Sequence, residues 1–237
     1  MTTSIVFGAL HFFGYQLASF FLERGQTVIG VGWPGLDAED AEEKEMYLGR
    51  NANFDYIPFE KVEFSEIRSA DVFIPLIDYP LDRWDEIATA LSNCLHPLSN
   101  LDDVRFMAFL HANAPELQEN LLGLPLQCFY IDSIYGPWMP QDSPLLTDLR
   151  KTAITQEAVT DSIFIEDLFS CWDKLYLKHE KNIFLKASDP VGTSETSLCS
   201  ETDKDIYILP RQTSLADGLT LLDRHFHTLD KMKNLFN

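Results

Sequence analysis

The chain has 237 residues, of which 46% are hydrophobic, enough to bury a sizeable core as one domain or as one domain with a small appendage. Its 18 lysines and arginines are outnumbered by 37 aspartates and glutamates, which gives a formal net charge of −19. A nucleic-acid backbone or an anionic membrane surface would repel such a chain on average, so we expect neither as a partner.

The cysteines and the N-terminal segment bear on the cellular compartment of the protein. Four widely spaced cysteines form no C-x-x-C pair, so the pattern predicts neither a zinc site nor a disulfide framework. The first 22 residues are fairly apolar but lack a basic start and are interrupted by Gly8, His11 and Gly14. This disfavours a signal peptide or a membrane span. We therefore expect a cytoplasmic protein with reduced thiols and no metal.

Short apolar runs rich in β-branched residues alternate with helical patterns along the first half of the chain. Continuously apolar strands separated by helices indicate a parallel sheet covered on both faces. Gly25 ends the first predicted helix. The predicted strands cover 4–8, 28–32, 71–77, 105–110, 127–131 and 206–209, and the predicted helices cover 15–24, 81–95, 115–122 and a final segment capped by Ser214. An acidic loop or exposed helix over 37–45 and a polar loop over 188–205 complete the pattern.

A candidate nucleotide-binding turn lies between the first predicted strand and the first predicted helix, with the sequence Gly8-Ala-Leu-His11-Phe-Phe-Gly14. Such a turn needs glycines where the chain bends sharply, where backbone approaches a pyrophosphate and where helix meets strand. The pyrophosphate then sits on the helix N-terminus. The position between a predicted strand and a predicted helix distinguishes such a motif from a chance match. The candidate cofactor-binding residues are therefore Gly8, His11, Phe12, Phe13, Gly14 and, after the second predicted strand, Trp33.

This turn and several later segments, in the same order along nearly the whole chain, resemble the extended short-chain dehydrogenase/reductase family of nucleotide-sugar epimerases and dehydratases. The later segments are Val28-Ile-Gly-Val31, Ala70-Asp-Val-Phe-Ile-Pro75, Gly123-Leu-Pro-Leu126, Ile134-Tyr-Gly-Pro137 (similar to "VYGP"), Ile163-Phe-Ile-Glu-Asp-Leu168 ("FVxVDDV") and Thr213-Ser-Leu-Ala-Asp-Gly-Leu219 ("TSLEEGL"). The resemblance implies an α/β fold, a Rossmann-type doubly wound parallel sheet with a small C-terminal substrate-side subdomain. We place the nucleotide-binding part at 1–135 and the C-terminal part at 136–237, together forming one compact unit.

The cofactor motif departs from the family pattern in two places. On the family's G-x-x-G-x-x-G, Gly8 and Gly14 match, while His11 replaces the middle glycine, which is the one nearest phosphate. His11 either fills space that a cofactor needs or, when protonated, contacts phosphate. The acid that usually ends the second strand and holds the ribose is replaced by Gly32 or Trp33. Because acids crowd the loop that follows, a bound cofactor is expected to be NAD rather than NADP; that neither binds is the other outcome.

The family's catalytic tyrosine and lysine are missing. These enzymes use a tyrosine phenolate as acid/base, with its pKa lowered by a lysine one helical turn later. No tyrosine of this chain has a lysine four residues on, and only 113–126 separate the fifth and sixth predicted strands, too few for the family's long catalytic helix. The candidate replacements are His111, Asp132 and Tyr135, each of which also has an ordinary structural interpretation.

Three functional hypotheses follow. We favour an epimerase/dehydratase-like Rossmann protein, non-catalytic or weakly catalytic, that binds a nucleotide, a metabolite or a protein partner. The alternative is a divergent NAD(P)-dependent oxidoreductase or nucleotide-sugar epimerase that uses His111, Tyr135 or Asp132. The third is an interaction module, such as a homodimer, with exposed aromatic side chains near Trp33, Trp84 or Trp138. A turn already filled at His11 would count against a cofactor-dependent enzyme.

Overall fold

The computed structural model describes residues 3–113, 124–155, 162–188, 200–201 and 206–236. The chain divides into two compact units, Met1–Tyr130 and Ile131–Asn237. The helix predicted over 115–122 and most of the polar loop predicted over 188–205 lie outside the described residues.

The first unit is built on a sheet whose strands run in the order β6-β5-β4-β1-β2-β3. The strands are β1 (Thr3–Phe7), β2 (Thr27–Val31), β3 (Phe54–Ile57), β4 (Ala70–Ile74), β5 (Val104–His111) and β6 (Leu126–Ile131). Strand β1 pairs in parallel with both β2 and β4, and the β2–β3 and β4–β5 pairs are also parallel. Strands β2 and β3 thus extend the sheet on one side of β1, and strands β4, β5 and β6 extend it on the other side. The carboxyl ends of β1 and β4 form the switch point at which open α/β sheets bind ligands.

Helices cover this sheet because its strands are apolar on both sides. They are α1 (Phe12–Glu23), α2 (Ala41–Leu48) and α3 (Trp84–Leu95), with 3₁₀ turns at Phe59–Lys61, Leu76–Asp78 and Leu81–Arg83. Helix α1 ends in a Schellman motif: the amide of Gly25, which has a φ of +74°, donates to Leu22, and the amide of Gln26 donates to Phe21. The glycine stop predicted at Gly25 is confirmed.

The second unit contains two small sets of strands. Strands β7 (Ile134–Tyr135) and β8 (Ile163–Phe164) pair in parallel. Strand β11 (Ile206–Leu209) pairs in parallel with β9 (Asn182–Ala187) and antiparallel with β10 (Ser200–Glu201). The helices are α4 (Pro144–Thr155), α5 (Ile165–Ser170), α6 (Trp172–Tyr176) and α7 (Leu215–Phe236). Ser214 caps α7, because its Oγ accepts from the Asp217 amide at 3.1 Å, as predicted.

The predicted fold class is confirmed, a Rossmann-type α/β fold with a parallel sheet, although several element boundaries differ and some elements were not predicted. Helix α1 begins at Phe12, three residues before the predicted start. Strand β4 ends at Ile74 instead of residue 77, because Pro75 lacks an amide hydrogen and a 3₁₀ turn follows. Strand β3 was not predicted, since it has only four residues and includes the exposed Asp55.

Candidate functional site

The turn between β1 and α1 depends on both of its glycines. Gly8 has a φ of +60°, in the left-handed region that favours glycine. A Cβ added to Gly14 would lie 2.1 Å from the carbonyl oxygen of Gly8, so α1 packs directly on the turn. The His11 amide closes the turn by donating to the same oxygen at 2.8 Å. The architecture of a dinucleotide-binding turn is therefore retained.

The carboxylate of Asp78 lies at the N-terminus of α1. Its Oδ2 accepts from the amides of Phe13 at 2.8 Å and Gly14 at 2.9 Å, and its Oδ1 accepts from Phe13 at 3.0 Å. Asp78 ends the 3₁₀ turn that follows β4, the neighbour of β1, so the sheet order brings it to this position. The first amides of a helix have no partner within the helix and carry partial positive charge, which is why anions bind there. Here the bound anion is the protein's own side chain.

Burial raises the pKa of Asp78 to about 6, while the hydrogen bonds from Gly14 and Phe13 and the charge of Lys44 act in the opposite direction. The two amide donors therefore offset only part of the cost of desolvating this carboxylate. Asp78 changes charge within the range of pH that a cell can reach.

Trp33 fills the space beside Gly8. A Cβ at Gly8 would lie 2.1 Å from the indole Nε1 and 2.6 Å from Cε2, so the ring rests on the backbone of the turn. The indole is only 4% exposed. The Phe7 and Tyr79 rings pack against it, with centroids 6.0 and 5.5 Å away. An indole therefore stands where the family resemblance expects a ribose-binding acid. Trp84 is buried too, at 8% exposure, so the expectation of exposed aromatic side chains at these two tryptophans is wrong.

His11 is the N-cap residue of α1 and has extended backbone geometry. Burial lowers the pKa of its imidazole to about 4, and the charge of Lys44 lowers it further, while a hydrogen bond to the Leu36 carbonyl and the charge of Asp37 act in the opposite direction. The imidazole is therefore neutral at pH 7. It can donate to a carbonyl oxygen but cannot supply positive charge to a phosphate.

Lys44 is a buried cation of this region, and the sequence did not single it out as a site residue. It lies on α2, is only 3% exposed, and its Nζ donates to the backbone carbonyl of Glu39 at 2.8 Å. Burial lowers the pKa of Lys44, while Asp40 and Asp78 raise it. Part of the acidic segment over 37–45 is thus folded around a buried ammonium group that offsets some of its negative charge.

A cavity of about 410 Å³ opens at the carboxyl ends of β2 and β3. Pockets that bind small molecules have about 300–1,000 Å³. The lining side chains that bear on chemistry are the aromatic Trp33, Tyr56 and Phe59, the acids Asp37 and Glu60, and the imidazole of His11. Neither lysine nor arginine occurs among the described residues that line it.

The remaining sequence candidates are distributed over both units. Phe12 begins α1, and Phe13 packs its ring on Phe109 at a centroid distance of 4.9 Å. His111 ends β5 in the first unit, and Asp132 lies just after β6 in the second.

Tyr135 ends β7 in the second unit and is 2% exposed. A Cβ at Gly218 of α7 would lie 2.8 Å from its hydroxyl oxygen. Burial raises the pKa of Tyr135 to about 12, so this phenol stays protonated at neutral pH.

Metal and membrane sites find no support in the part of the chain that the structure describes. That part contains no grouping of three histidine, cysteine or acidic side chains suited to a metal ion. None of its helices is long and apolar enough to cross a membrane. Cys94, Cys128 and Cys171 form no disulfide.

No protein-family model matches this chain, and no curated protein matches its sequence. Solved structures match its fold over nearly its whole length. The dTDP-glucose 4,6-dehydratase of Bacillus anthracis, in complex with NAD, has a TM-score of 0.60 at 11% identity and covers 96% of this chain and 97% of its own. The enzyme WbmH of Bordetella bronchiseptica, in complex with NAD+, has a TM-score of 0.61 at 14% identity. The UDP-glucose 4-epimerase of Thermotoga maritima, with UDP-glucose, has a TM-score of 0.61 at 15% identity. Each of these two matches covers 96% of this chain and 99% of the other protein's chain.

The chain has the epimerase/dehydratase fold. This confirms the fold implied by the resemblance to extended short-chain dehydrogenases. The same fold places a dinucleotide's pyrophosphate on the N-terminus of α1. The residues present there do not fit a pyrophosphate. The Asp78 carboxylate already accepts hydrogen bonds from the amides of Phe13 and Gly14. Trp33 covers Gly8, and the His11 imidazole is neutral at pH 7.

Proposed function

We propose that this chain is a non-catalytic member of the epimerase/dehydratase fold, a pseudoenzyme that binds a small molecule in the cavity beside β2 and β3 instead of a dinucleotide on the α1 turn. The observation that carries the proposal is the Asp78 carboxylate on the amides of Phe13 and Gly14. The volume of the cavity supports the second half of the proposal, because about 410 Å³ suits a small ligand.

The energetics of displacing Asp78 disfavour a dinucleotide. A pyrophosphate could use these amides only if the carboxylate left them, so the bonds it gained would be offset by those that Asp78 lost. Hydrogen bonds to charged groups contribute about 1.5–3 kcal/mol each. Trp33 adds to this cost, because its buried indole would have to leave the backbone of Gly8.

The missing proton-transfer groups support the absence of catalysis. No tyrosine is followed by a lysine at the fourth position, and the pKa of about 12 makes Tyr135 a poor replacement acid/base at neutral pH. The divergent oxidoreductase or epimerase would have to rely on His111 or Asp132.

Calorimetric titration with NAD+, NADH, NADP+ and NADPH tests the proposal. We expect no saturable binding to the wild-type protein up to about millimolar concentration, and no turnover of UDP-glucose with added NAD+. The Asp78→Ala variant frees the amides of α1, so it should bind inorganic pyrophosphate more tightly than the wild type. The Asp82→Ala control removes an equal charge from an exposed site and should not. Micromolar binding of any of these cofactors to the wild type, or turnover of the sugar nucleotide, would overturn the proposal.

A further inference from the structure

The cavity beside β2 and β3 has a wall that combines aromatic rings with negative charge, and this combination points to a class of ligand. We infer that it binds a small organic cation, an amine or quaternary ammonium attached to an apolar or aromatic body. This inference rests on the proposed function, because it names the ligand class of the same cavity.

The aromatic part of the wall is held in place before any ligand arrives. Trp33 is clamped between neighbouring rings, and Phe59 packs near Phe7 with centroids 6.4 Å apart. The hydroxyl oxygen of Tyr56 would lie 2.9 Å from a Cβ at Gly32, so glycine at the end of β2 lets this ring approach the backbone. Rings fixed in this way need little ordering on binding, and the half-buried Tyr56 and Phe59 are more accessible to a ligand than Trp33, which is 4% exposed.

The charge at the cavity is negative. Asp37 and Glu60 line it and are exposed, and four further acids follow Asp37 within 39–43. Two cations lie nearby among the described residues, and neither side chain lines the cavity: Lys44 has its Nζ on the Glu39 carbonyl, and Arg83 donates to the Gly35 carbonyl at 3.2 Å and pairs with Glu86 at 3.0 Å. His11 does line it and is neutral at pH 7.

The charges of these acids also act on the phenol of Tyr56, which lines the cavity. Burial raises its pKa first, and the charges of Glu45, Glu60 and Asp37 raise it further. A field that disfavours a phenolate at this position favours an ammonium group and repels a carboxylate or phosphate. A cation over an aromatic ring gains about 0.5–2 kcal/mol beyond its attraction to the acids.

A series of probes with a common ring system tests the ligand class: 1-naphthylmethylammonium, 1-naphthylmethanol and 1-naphthoate, titrated by calorimetry at pH 7.5 in low salt. All three carry the same ring system and differ in charge. Each acid attracts a unit charge about 4 Å away by ~1 kcal/mol in a water-like medium. We therefore expect the ammonium to bind at least about tenfold more tightly than the alcohol, and the naphthoate to show no saturable binding.

Two charge-neutralising variants place the binding at this cavity. Asp37→Asn and Glu60→Gln should each weaken the ammonium about threefold to fivefold and leave the alcohol unchanged. Both side chains are exposed, so neither variant should compromise folding. Glu63→Gln is the matched control, since Glu63 is exposed on the same loop region but does not line the cavity, and it should change nothing.

Equal binding of ammonium and naphthoate, or no binding of any probe, would overturn the inference. Loss of ammonium affinity in the control as well as in the two variants would also overturn it, because the cation would then be attracted by the acidic surface in general. The NAD+ titration separates this inference from the proposed function. If neither NAD+ nor any of the probes binds, the inferred ligand class is wrong. If NAD+ binds at micromolar concentration, the proposed function is wrong.

Discussion

Replacing Asp78 with asparagine should change how the stability of the protein depends on pH. In the native protein the pKa of Asp78 is raised by burial to about 6, from a reference value of 3.8. The native state therefore holds this proton more tightly than the unfolded chain does. The stabilisation that Asp78 contributes is fully present below about pH 4 and is lost as the pH rises through about 6.

The magnitude follows from the size of the shift. A difference of about two units between the native and unfolded pKa values corresponds to ~3 kcal/mol, since one unit is about 1.4 kcal/mol. Asparagine cannot titrate, so the wild type should lose about this much free energy of unfolding relative to Asp78→Asn between pH 4 and pH 7.5. Titrating groups that do not interact with Asp78 contribute equally in the two proteins and cancel in the difference; Lys44 does interact with Asp78.

Urea denaturation of both proteins at several pH values between 4 and 7.5, followed by tryptophan fluorescence, measures this difference. The Asp82→Asn variant serves as a control, because it makes the same substitution at an exposed position of the next 3₁₀ turn. A difference between wild type and Asp78→Asn that is flat, or that grows in favour of the wild type as pH rises, would refute the reasoning. The carboxylate would then not be desolvated at the helix N-terminus.

Two further pairs of substitutions test local structure, and all four variants are measured by urea denaturation. Gly14→Ala places a Cβ 2.1 Å from the Gly8 carbonyl oxygen, so we expect the free energy of unfolding to fall by ~3 kcal/mol or more. Gly25 has a φ of +74° but open space around it, so Gly25→Ala should lower the free energy of unfolding by only ~1–2 kcal/mol. Equal losses in the two variants would contradict the packing of α1 on the turn. Ser214→Ala should cost about 1 kcal/mol and Ser214→Asn almost nothing, and an equal loss in both would contradict the cap at Asp217.

The elements that the sequence predicted well are those specified by local pattern. The strands are continuous apolar runs because helices cover both sides of a parallel sheet, and this pattern is visible in β1, β2 and β5. Gly25 and Ser214 mark helix ends because a left-handed residue and an N-cap hydroxyl each act within a few residues. The order of these elements was enough to predict the fold class.

The contact that decides the candidate site could not be predicted in this way. Asp78 and Gly14 are 64 residues apart, and nothing near either one signals a hydrogen bond between them. The available signal was topological: an acid two to four residues beyond β4 lies beside the end of β1 once β1 and β4 are neighbours. The burial of Lys44 could not be predicted for a different reason: a single lysine among acids is the pattern expected of an exposed helix.

The central claim is that Asp78, and not a dinucleotide, occupies the amides at the start of α1. Amide NMR signals of Phe13 and Gly14 test it most directly. We expect both signals to shift with a midpoint near pH 6, to lose that titration in Asp78→Asn, and to stay in place when NAD+ is added to millimolar concentration. Signals that do not follow the charge of Asp78, and that move saturably with micromolar NAD+, would contradict the claim.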